Sequence, residues 1–278
     1  MSQPRRLRLP RRQRFSGLSF NRMLPNLMTL LGLCIGLSAI RLAINGKFGD
    51  AVIALAVSAV IDGLDGRLAR LLKATSRFGA EFDSLADFLC FGIAPALIIY
   101  MWSLQAWGAI GFLPPLMYAS AMALRLARFN AALDSAPRAA FAYNFFTGVP
   151  APAGAGLALF PLFVGLDAQQ MHVPFVRVAA GFPLFTGAVL VTVSLLCVST
   201  LPVWSFKNFK IPTANILPLL LGVVVFAAIL FADPYAAGAL LGLAYMVMLP
   251  FSLRSYRRLA RQAEARRAQA EAVVESEI

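Results

Sequence analysis

Long apolar stretches, separated by short polar segments, make up most of the chain from residue 24 onwards. Each stretch has about twenty residues, the length that an α-helix needs to cross the hydrocarbon core of a bilayer. The hydrophobicity is continuous rather than alternating, which favours helices over the strands of a membrane barrel. The pattern predicts eight transmembrane helices, at about residues 24–44, 49–71, 84–105, 108–129, 148–166, 175–201, 214–232 and 235–253.

The spacing of these stretches predicts four regions in the chain. The first six lie close together and predict a six-span catalytic core over residues 23–211, to which residues 212–254 add a transmembrane hairpin. A basic arm, residues 1–22, precedes the core, and a charged tail, residues 255–278, follows the hairpin. Within the fourth stretch, the Pro114-Pro115 pair should kink the helix or move its start, because proline cannot continue a helical hydrogen-bond ladder.

Composition supports an all-α integral membrane protein. Hydrophobic residues make up 59% of the chain and charged residues only 14%, far from the balance of a soluble globular domain. The net charge of +12 does not indicate nucleic-acid binding, because the basic residues cluster at both termini and in short segments between apolar stretches. With the N-terminus inside, all but three of the 25 basic residues face the cytoplasm; the exceptions are Arg41, Lys47 and Arg177. The positive-inside rule therefore predicts an inner (cell) membrane protein with both termini in the cytoplasm.

Cysteine and histidine usage excludes several kinds of catalysis. The three cysteines, Cys34, Cys90 and Cys197, all lie in apolar stretches and form no metal-binding or redox motif. The single histidine, His172, lies in a short polar loop. A Ser-His-Asp or Cys-His mechanism is therefore not expected.

Acidic residues are concentrated at one place in this apolar chain, residues 61–88. On a helix, Asp62, Asp65, Gly66 and Ala69 fall within about 100° of one another and form one stripe. Two carboxylates thus point the same way beside two residues with almost no side chain. The small residues leave space for a bulky group to approach the carboxylates.

The following helix carries a matching stripe. Gly79, Asp83 and Asp87 are spaced four residues apart and share one face, while Glu81 points to the opposite side. Arg70 borders the first stripe and could supply positive charge to a phosphate. Because a short connection makes the two helices antiparallel neighbours, the four aspartates are expected to converge at the cytoplasmic end of the bundle.

Four carboxylates at membrane depth require neutralisation. Hard divalent cations, Mg²⁺ or Mn²⁺, take oxygen ligands and keep a substrate phosphate in their shell, and two such ions would suit displacement at phosphorus. Lys73 and Arg77 lie in the turn, better placed for lipid or solvent. The alternative is a set of intramembrane ion pairs that only hold two helices together.

The residues of this segment resemble, position by position, the signature of the CDP-alcohol phosphotransferase family: Asp62-x2-Asp65-Gly66-x2-Ala69-Arg70-x8-Gly79-x3-Asp83-x3-Asp87. Members of that family are integral membrane enzymes with a six-helix core that work as homodimers. They transfer a phosphatidyl or similar group from a CDP-linked donor to an alcohol and release CMP. The resemblance implies the same fold, partners and reaction here.

The resemblance also implies roles for single residues. Asp87 would be the general base, and the divalent ions would be held by Asp62, Asp65, Asp83 and Asp87. Small and basic residues of the signature would shape the pocket for CDP: Gly66, Ala69, Arg70 and Gly79. Five further stretches resemble the bacterial phosphatidylserine synthases of this family, which implies CDP-diacylglycerol as donor and L-serine as acceptor: residues 24–37, 76–88, 123–130, 145–155 and 198–207.

Polar residues in the other helices extend the predicted site. Asn26 and Thr29, three residues apart at the start of the first helix, could bind the nucleotide or pyrophosphate, or else form an ordinary helix start with threonine bonded back to the preceding turn. Arg125 and Arg128 are spaced likewise and could bind the carboxylate of serine, with Asn130 assisting. The alternative for both arginines is anchoring by the positive-inside rule. Weaker candidates are Thr147, Gly148, Pro150 and Lys207.

Several rival functions share parts of this pattern. Within the family, glycerol 3-phosphate or choline could replace serine; choline offers arginine no carboxylate, but glycerol 3-phosphate would also attract arginines. Membrane prenyltransferases use aspartate-rich magnesium sites, although their clusters lie in separate parts of the chain. A cation transporter could use intramembrane aspartates, but it would need polar positions across the bilayer, and the last four stretches have few.

Overall fold

The computed structural model describes residues 20–133, 145–204 and 216–276. Their α-helices are α1 (Phe20–Ile44), α2 (Phe48–Leu71), α3 (Arg77–Asp87), α4 (Ala94–Trp102), α5 (Leu113–Leu133), α6 (Ala151–Ala158), α7 (Phe160–Gln170), α8 (Pro174–Ala180), α9 (Pro183–Val198), α10 (Ile216–Ala232) and α11 (Pro234–Ser276). A π-helical turn, Phe88–Ile93, joins α3 to α4, and two 3₁₀ turns, Leu104–Trp107 and Ile110–Phe112, precede α5. The strands β1 (Phe145–Thr147) and β2 (Pro202–Trp204) form one ribbon. Residues 1–19 of the predicted arm, and Lys207, lie outside the described residues.

The helices confirm an all-α integral membrane protein. In the described part of the chain, four helical segments are long and apolar enough to cross a bilayer: Met23–Ile44, Arg77–Trp102, Ile110–Ala132 and Pro234–Leu259. Two bent pairs raise the number to as many as six, α6 with α7 at 46° and α8 with α9 at 50°. Of the two remaining predicted spans, α2 carries several charged residues near its end, and α10 has 17 residues. The total of eight spans and the four-region division remain predictions.

Prolines account for the places where helices begin or bend. The fourth predicted span starts later than expected, at Leu113, and Pro114 and Pro115 occupy the first turn of α5, where a missing backbone N–H has no cost. The bends between α6 and α7 and between α8 and α9 each precede a proline at the start of the second helix, Pro161 and Pro183. These prolines therefore break the fifth and sixth predicted spans into two helices each.

The core forms where α1 packs along α2 and where α5 packs along α9. Its largest fully buried side chains come from α4, α5, α7 and α9 and include Ile98, Ile99, Tyr118, Met122, Leu162 and Leu190. Small residues allow the closest approaches. A Cβ atom at Gly36 of α1 would lie 2.5 Å from Sγ of Cys90, so that glycine lets α1 pack directly against the π-helical turn.

The π-helical turn follows immediately after Asp87, the predicted general base. Tyr118 of α5 is fully buried, and its hydroxyl donates a hydrogen bond of 2.7 Å to the backbone carbonyl of Phe91 within the turn. The wider winding of a π turn shifts the residues around it relative to an ordinary α-helix. Tyr118 therefore ties this irregular segment to the rigid helix α5.

A short ribbon joins two stretches that lie far apart in the chain. β1 and β2 are antiparallel, with Phe145 opposite Trp204. Helix α11 covers the ribbon: the Ser252 hydroxyl donates to the carbonyl of Pro202 at 2.8 Å, and the rings of Phe145 and Tyr256 meet edge to face at 5.1 Å. The sequence analysis did not predict this ribbon. Helix α11 continues to Ser276, so the described part of the predicted tail is helical.

Candidate active site

Three aspartates converge at one end of the bundle. One carboxylate oxygen from each of Asp62, Asp83 and Asp87 lies within 4.8 Å of the others, and these three residues are called the acidic cluster below. Asp62 comes from the second half of α2, and Asp83 and Asp87 lie one turn apart on α3. All three are half-buried, so the cluster remains reachable for a ligand.

Helix α1 holds the two acidic helices in place. Both α2 and α3 pack against α1 more extensively than against each other, so α1 fixes the position of each of them. The connection between them turns at Lys73, which has a positive φ of 50°. Ser76 then caps α3, because its hydroxyl accepts a hydrogen bond of 3.0 Å from the backbone N–H of Gly79.

The fourth predicted metal ligand, Asp65, is not one of the three residues of the acidic cluster, but it lines the same small recess as Asp62 and Asp87. It is only 3% exposed, and its Oδ2 accepts a hydrogen bond of 2.5 Å from the Thr29 hydroxyl. The same hydroxyl oxygen is 3.1 Å from the carbonyl of Pro25, one turn back in α1. Thr29 therefore both bonds to the preceding turn and contacts an aspartate, and it could orient the Asp65 carboxylate.

The acidic cluster has the chemistry of a divalent cation site. The carboxyl groups of Asp62 and Asp87 contact each other, which is unfavourable without a neutralising positive charge. Oδ1 of Asp87 is buried and has no hydrogen-bond partner among the described residues. Oxygen ligands of this kind suit Mg²⁺ or Mn²⁺. The cluster could therefore bind a metal ion.

The residues predicted to shape the CDP pocket divide into two groups. Gly66 and Arg70 are exposed and Ala69 is half-buried; a Cβ at Gly66 would meet no other atom within 4 Å, so this face of α2 is open. Gly79 instead packs against Asn26, whose Oδ1 would lie 2.9 Å from a Cβ at that position. Asn26 and Gly79 are therefore neighbours across α1 and α3.

The arginine pair of α5, Arg125 and Arg128, lies one turn apart on that helix and contacts different parts of the fold. Arg128 donates to the carbonyls that end α9: Nη1 to Val198 at 2.6 Å, and Nη2 to Ser199 at 3.1 Å and Cys197 at 3.3 Å. Nη2 is also 3.3 Å from the carbonyl of Thr147 in β1. The guanidinium thus caps a helix C-terminus and ties it to the ribbon.

Arg125 has fewer backbone partners. Its Nε donates to the carbonyl of Val149 at 2.6 Å, and its charge interacts with Asp87 of the acidic cluster. Of the two arginines, Arg125 is therefore the one whose terminal nitrogens have no hydrogen-bond partner among the described residues and could bind a ligand. The distinction could not be predicted from spacing, because the carbonyls that Arg128 binds lie about 70 residues further along the chain.

Asn130 contacts Ser84, one of two residues of interest that the sequence pattern did not indicate. Nδ2 of Asn130 donates to the hydroxyl of Ser84 at 3.0 Å, which fixes α5 against α3 beside Asp83. Tyr118, described above, is the second addition. Ser84 could have been noticed from its place next to Asp83, whereas nothing in the pattern around Tyr118 distinguishes it from a core aromatic.

Gly148, a weaker candidate from the sequence, has a structural requirement of its own. Its φ of +75° is unfavourable for other residues, and a Cβ there would lie 2.8 Å from the carbonyl oxygens of Cys197 and Ser199 and 3.0 Å from Nη2 of Arg128. The glycine therefore lets the chain after β1 approach the capped end of α9.

Comparison with known proteins agrees with this geometry. The family model described as CDP-alcohol phosphatidyltransferase matches residues 22–250. The chain belongs to this family. A CDP-diacylglycerol–serine O-phosphatidyltransferase from Mycobacterium tuberculosis is 39% identical over 242 residues, which cover 87% of this chain and 82% of that protein. A protein of the same name from Helicobacter pylori is 34% identical over 215 residues, 77% of this chain and 84% of that protein.

A further relative is similar over about half of the chain. An archaetidylserine synthase from Methanothermobacter thermautotrophicus is 34% identical over 137 residues, 48% of this chain and 54% of that protein. The chain is thus a multi-pass membrane enzyme, a CDP-alcohol phosphatidyltransferase, and all positions of its signature lie on α2 and α3.

Proposed function

We propose that the enzyme transfers the phosphatidyl group of CDP-diacylglycerol to the hydroxyl of L-serine and releases CMP. The observation that carries the proposal is the acidic cluster, because three carboxylates within 4.8 Å of one another suit a metal-bound pyrophosphate. The names of the relatives from M. tuberculosis and H. pylori support the donor and the acceptor.

Divalent ions would supply Lewis-acid stabilisation of the pyrophosphate. The proposed ligand set for two Mg²⁺ or Mn²⁺ ions is Asp62, Asp65, Asp83 and Asp87. Thr29 orients Asp65 within this set through its 2.5 Å hydrogen bond. Outer contacts of this kind fix the direction of a ligand and tune its affinity for metal.

Asp87 is the proposed general base. It accepts the proton of the serine hydroxyl, the serine oxygen forms a bond to the phosphorus that carries diacylglycerol, and the bond from that phosphorus to the oxygen of CMP breaks. Asp87 is suited to the task because its Oδ1 has no competing hydrogen-bond partner among the described residues. The exposed guanidinium of Arg70 helps to bind the phosphates of CDP at the open face beside Gly66 and Ala69.

Arg125 is the proposed binding residue for the carboxylate of serine. Its position beside Asp87 would place the serine hydroxyl next to the base, and a guanidinium binds a carboxylate in a fixed orientation. Arg128, with its donors turned to backbone carbonyls, supports the site by holding α9 and β1. Glycerol 3-phosphate is the alternative acceptor, because Arg125 could equally bind its phosphate.

The proposal includes orientation and assembly. The acidic cluster and both termini face the cytoplasm, and the enzyme works as a homodimer. The charge distribution supports this orientation: Lys47 and Arg177, two of the three basic residues predicted to face outward, line one polar pocket with Trp102 and Tyr235, whereas the charge of Arg125 interacts with Asp87 of the acidic cluster.

The decisive experiment measures CMP release by the purified protein from CDP-diacylglycerol with Mg²⁺ or Mn²⁺. Serine, glycerol 3-phosphate, choline and inositol phosphate are compared as acceptors, with and without a chelator. We expect release with serine only, and loss of activity with the chelator that either metal restores. Release with glycerol 3-phosphate alone would refute the serine assignment, and release that survives complete metal removal would refute the metal site.

A further inference from the structure

A large apolar cavity lies between the helical core and the hairpin of α10 and α11. Its volume is about 380 Å³, and its lining consists almost entirely of aliphatic and aromatic side chains from α2, α6, α7, α10, α11 and the π-helical turn. Nothing in the reaction of the headgroup requires such a space. Its position relative to the acidic cluster indicates what it holds.

The π-helical turn separates the cavity from the acidic cluster. Cys90 and Phe91 line the cavity and also a small recess that contains Asp62, Asp65 and Asp87. The cavity and the site of phosphoryl chemistry are therefore neighbours on the two sides of one turn of helix. A ligand with a charged headgroup in the site could extend an apolar part into the cavity.

The dimensions of the cavity fit one acyl chain. Along α2, its lining begins at Ala59 and ends at Val52, three and ten residues before Asp62. At about 1.5 Å per residue, the cavity extends from roughly 5 Å to roughly 15 Å from Asp62 along the helix axis. Half of a hydrocarbon core of about 30 Å is also about 15 Å, which is the depth that a lipid acyl chain occupies in one leaflet.

The C-terminal hairpin forms the outer wall. Helix α11 is held against α7 by two glycines: a Cβ at Gly238 would lie 2.7 Å from the ring of Phe163, and one at Gly242 would lie 3.0 Å from the ring of Phe160. These close contacts hold α11 against α7 while Phe226 of α10 lines the space beside it. Without the hairpin, this side of the cavity would open to bulk lipid.

One polar atom in the lining remains without a partner. The hydroxyl of Tyr245 is buried, lines the cavity and has no hydrogen-bond partner among the described residues. The hydroxyl of a buried tyrosine usually has such a partner. Tyr245 also interacts with the charge of Arg125, so it lies on the side of the cavity towards the reaction site, where a diacyl lipid carries its ester carbonyls.

We propose that this cavity binds one acyl chain of the CDP-diacylglycerol donor, with the α10–α11 hairpin as its outer wall and the Tyr245 hydroxyl donating to an ester carbonyl of the same lipid. The inference rests on the proposed function, because it places the lipid part of the proposed donor. It assigns the last two helices a role in donor binding.

The test fills the cavity from a position that tolerates a side chain. Gly156 of α6 lines the cavity, and a Cβ there would meet no atom within 4 Å. Leucine also has a higher helix propensity than glycine, so Gly156→Leu should fold. The matched control is Gly222→Leu in α10, a helical glycine with equally open surroundings that does not line the cavity.

Both variants are compared with wild type on dioleoyl and dihexanoyl CDP-diacylglycerol with serine as acceptor. We expect Gly156→Leu to lower kcat/KM for the dioleoyl donor about tenfold and to change the dihexanoyl value less than twofold. Gly222→Leu should leave both values unchanged. An equal loss on both donors, or no loss on either, would overturn the proposal.

A second measurement needs no turnover and therefore separates this proposal from the proposed reaction. CDP-diacylglycerol that carries a diazirine in one acyl chain is photolysed with the purified protein, and labelled peptides are identified by mass spectrometry. We expect label in α6 and α11, reduced by excess unlabelled CDP-diacylglycerol but not by phosphatidylglycerol. Equal competition by both lipids would assign the cavity to bulk membrane lipid and overturn the proposal. Absence of CMP release with this labelling intact would refute only the reaction.

Discussion

The acidic cluster and the arginine pair of α5 lie at the same end of the bundle, and the same helical-spacing argument predicts both. The fold uses them differently. One carboxylate oxygen from each of Asp62, Asp83 and Asp87 lies within 4.8 Å of the others, whereas Arg128 donates to the carbonyls of three consecutive residues at the end of α9. Spacing thus predicts which side chains share a face, but not which of them are already bound by the protein's own backbone.

Arg125 stands between these two cases. Within the described part of the chain it donates to one backbone carbonyl, that of Val149, and its charge interacts with Asp87. A charged side chain that the protein's own groups do not bind is therefore expected to bind substrate or metal. A charged side chain that is bonded to backbone carbonyls is expected to stabilise the fold. The following predictions test that contrast, beginning with the largest expected effect.

Replacement of the base should cause the largest loss. Asp87→Asn keeps the size of the side chain but removes its ability to accept a proton, so we expect kcat to fall about 10³-fold, within the usual range for a general base. CMP release with serine measures the effect. Glu81→Gln, on the exposed side of α3, is the matched control and should retain full activity. Substantial turnover by Asp87→Asn with the donor still bound would show that another group is the base.

Replacement of Arg125 should mainly weaken serine binding, whereas replacement of Arg128 should mainly lower stability. Arg125→Ala is expected to raise the KM for serine about 100-fold, since a charge-assisted bidentate contact is lost, with little change in thermal stability. Arg128→Ala should instead lower the free energy of unfolding by about 2 to 3 kcal/mol, because a hydrogen bond to a charged group contributes roughly 1.5–3 kcal/mol. Acceptor kinetics and denaturation are measured on both variants. Similar profiles for the two would remove the distinction.

A lysine at position 125 tests whether the acceptor is bound through its carboxylate, as the serine assignment requires. Arg125→Lys keeps the charge but not the planar pair of donors. If Arg125 binds a carboxylate through a bidentate pair of hydrogen bonds, Arg125→Lys should recover only a small part of the affinity for serine that Arg125→Ala loses. Full recovery by lysine would indicate that charge alone matters at this position.

The general fold and the acidic cluster could be predicted because their signals are local. Twenty-residue apolar stretches follow from bilayer thickness, and Asp83 and Asp87 share a helix face by their spacing of four residues. The ribbon could not be predicted in this way, because each strand has only three residues and its partner lies over 50 residues away. The hydrogen bond from Thr29 to Asp65 could not be predicted either, because it is a contact between α1 and α2 that no periodicity contains.

Loss of the hydrogen bond between Thr29 and Asp65 should lower metal affinity by an amount between the effects above and below. Thr29→Val keeps the shape of the side chain and removes the hydroxyl that fixes Asp65, so we expect the apparent affinity for Mn²⁺ to fall about tenfold, the lower end for the loss of an outer contact to a metal ligand. Thr29→Ser should keep the wild-type value. The apparent affinity for Mn²⁺ is measured by titrating the metal and following both activity and thermal stability. Equal affinity in the valine variant would place Asp65 outside the metal site.

Weakening the π-helical turn after Asp87 should cause the smallest loss of activity. Tyr118→Phe removes the 2.7 Å hydrogen bond to the carbonyl of Phe91, which leaves a buried acceptor short of a donor at a cost of about 1 to 3 kcal/mol. If the turn positions Asp87, kcat should fall two- to fivefold with the KM for both substrates unchanged. Tyr100→Phe, whose ring packs against Phe112 at 5.2 Å, is the matched control and should leave kcat unchanged.

The same variant distinguishes positioning from simple stability. A purely structural role for Tyr118 would lower the melting temperature and leave kcat at wild-type values below that temperature, because the folded molecules would be intact. A positioning role lowers kcat at every temperature at which the protein is folded, since the geometry of Asp87 changes in the folded state itself. Measuring kcat from 10 to 30 °C, roughly the range below the melting temperature of ordinary domains, separates the two. An unchanged kcat throughout would show that the π-helical turn holds its shape without Tyr118.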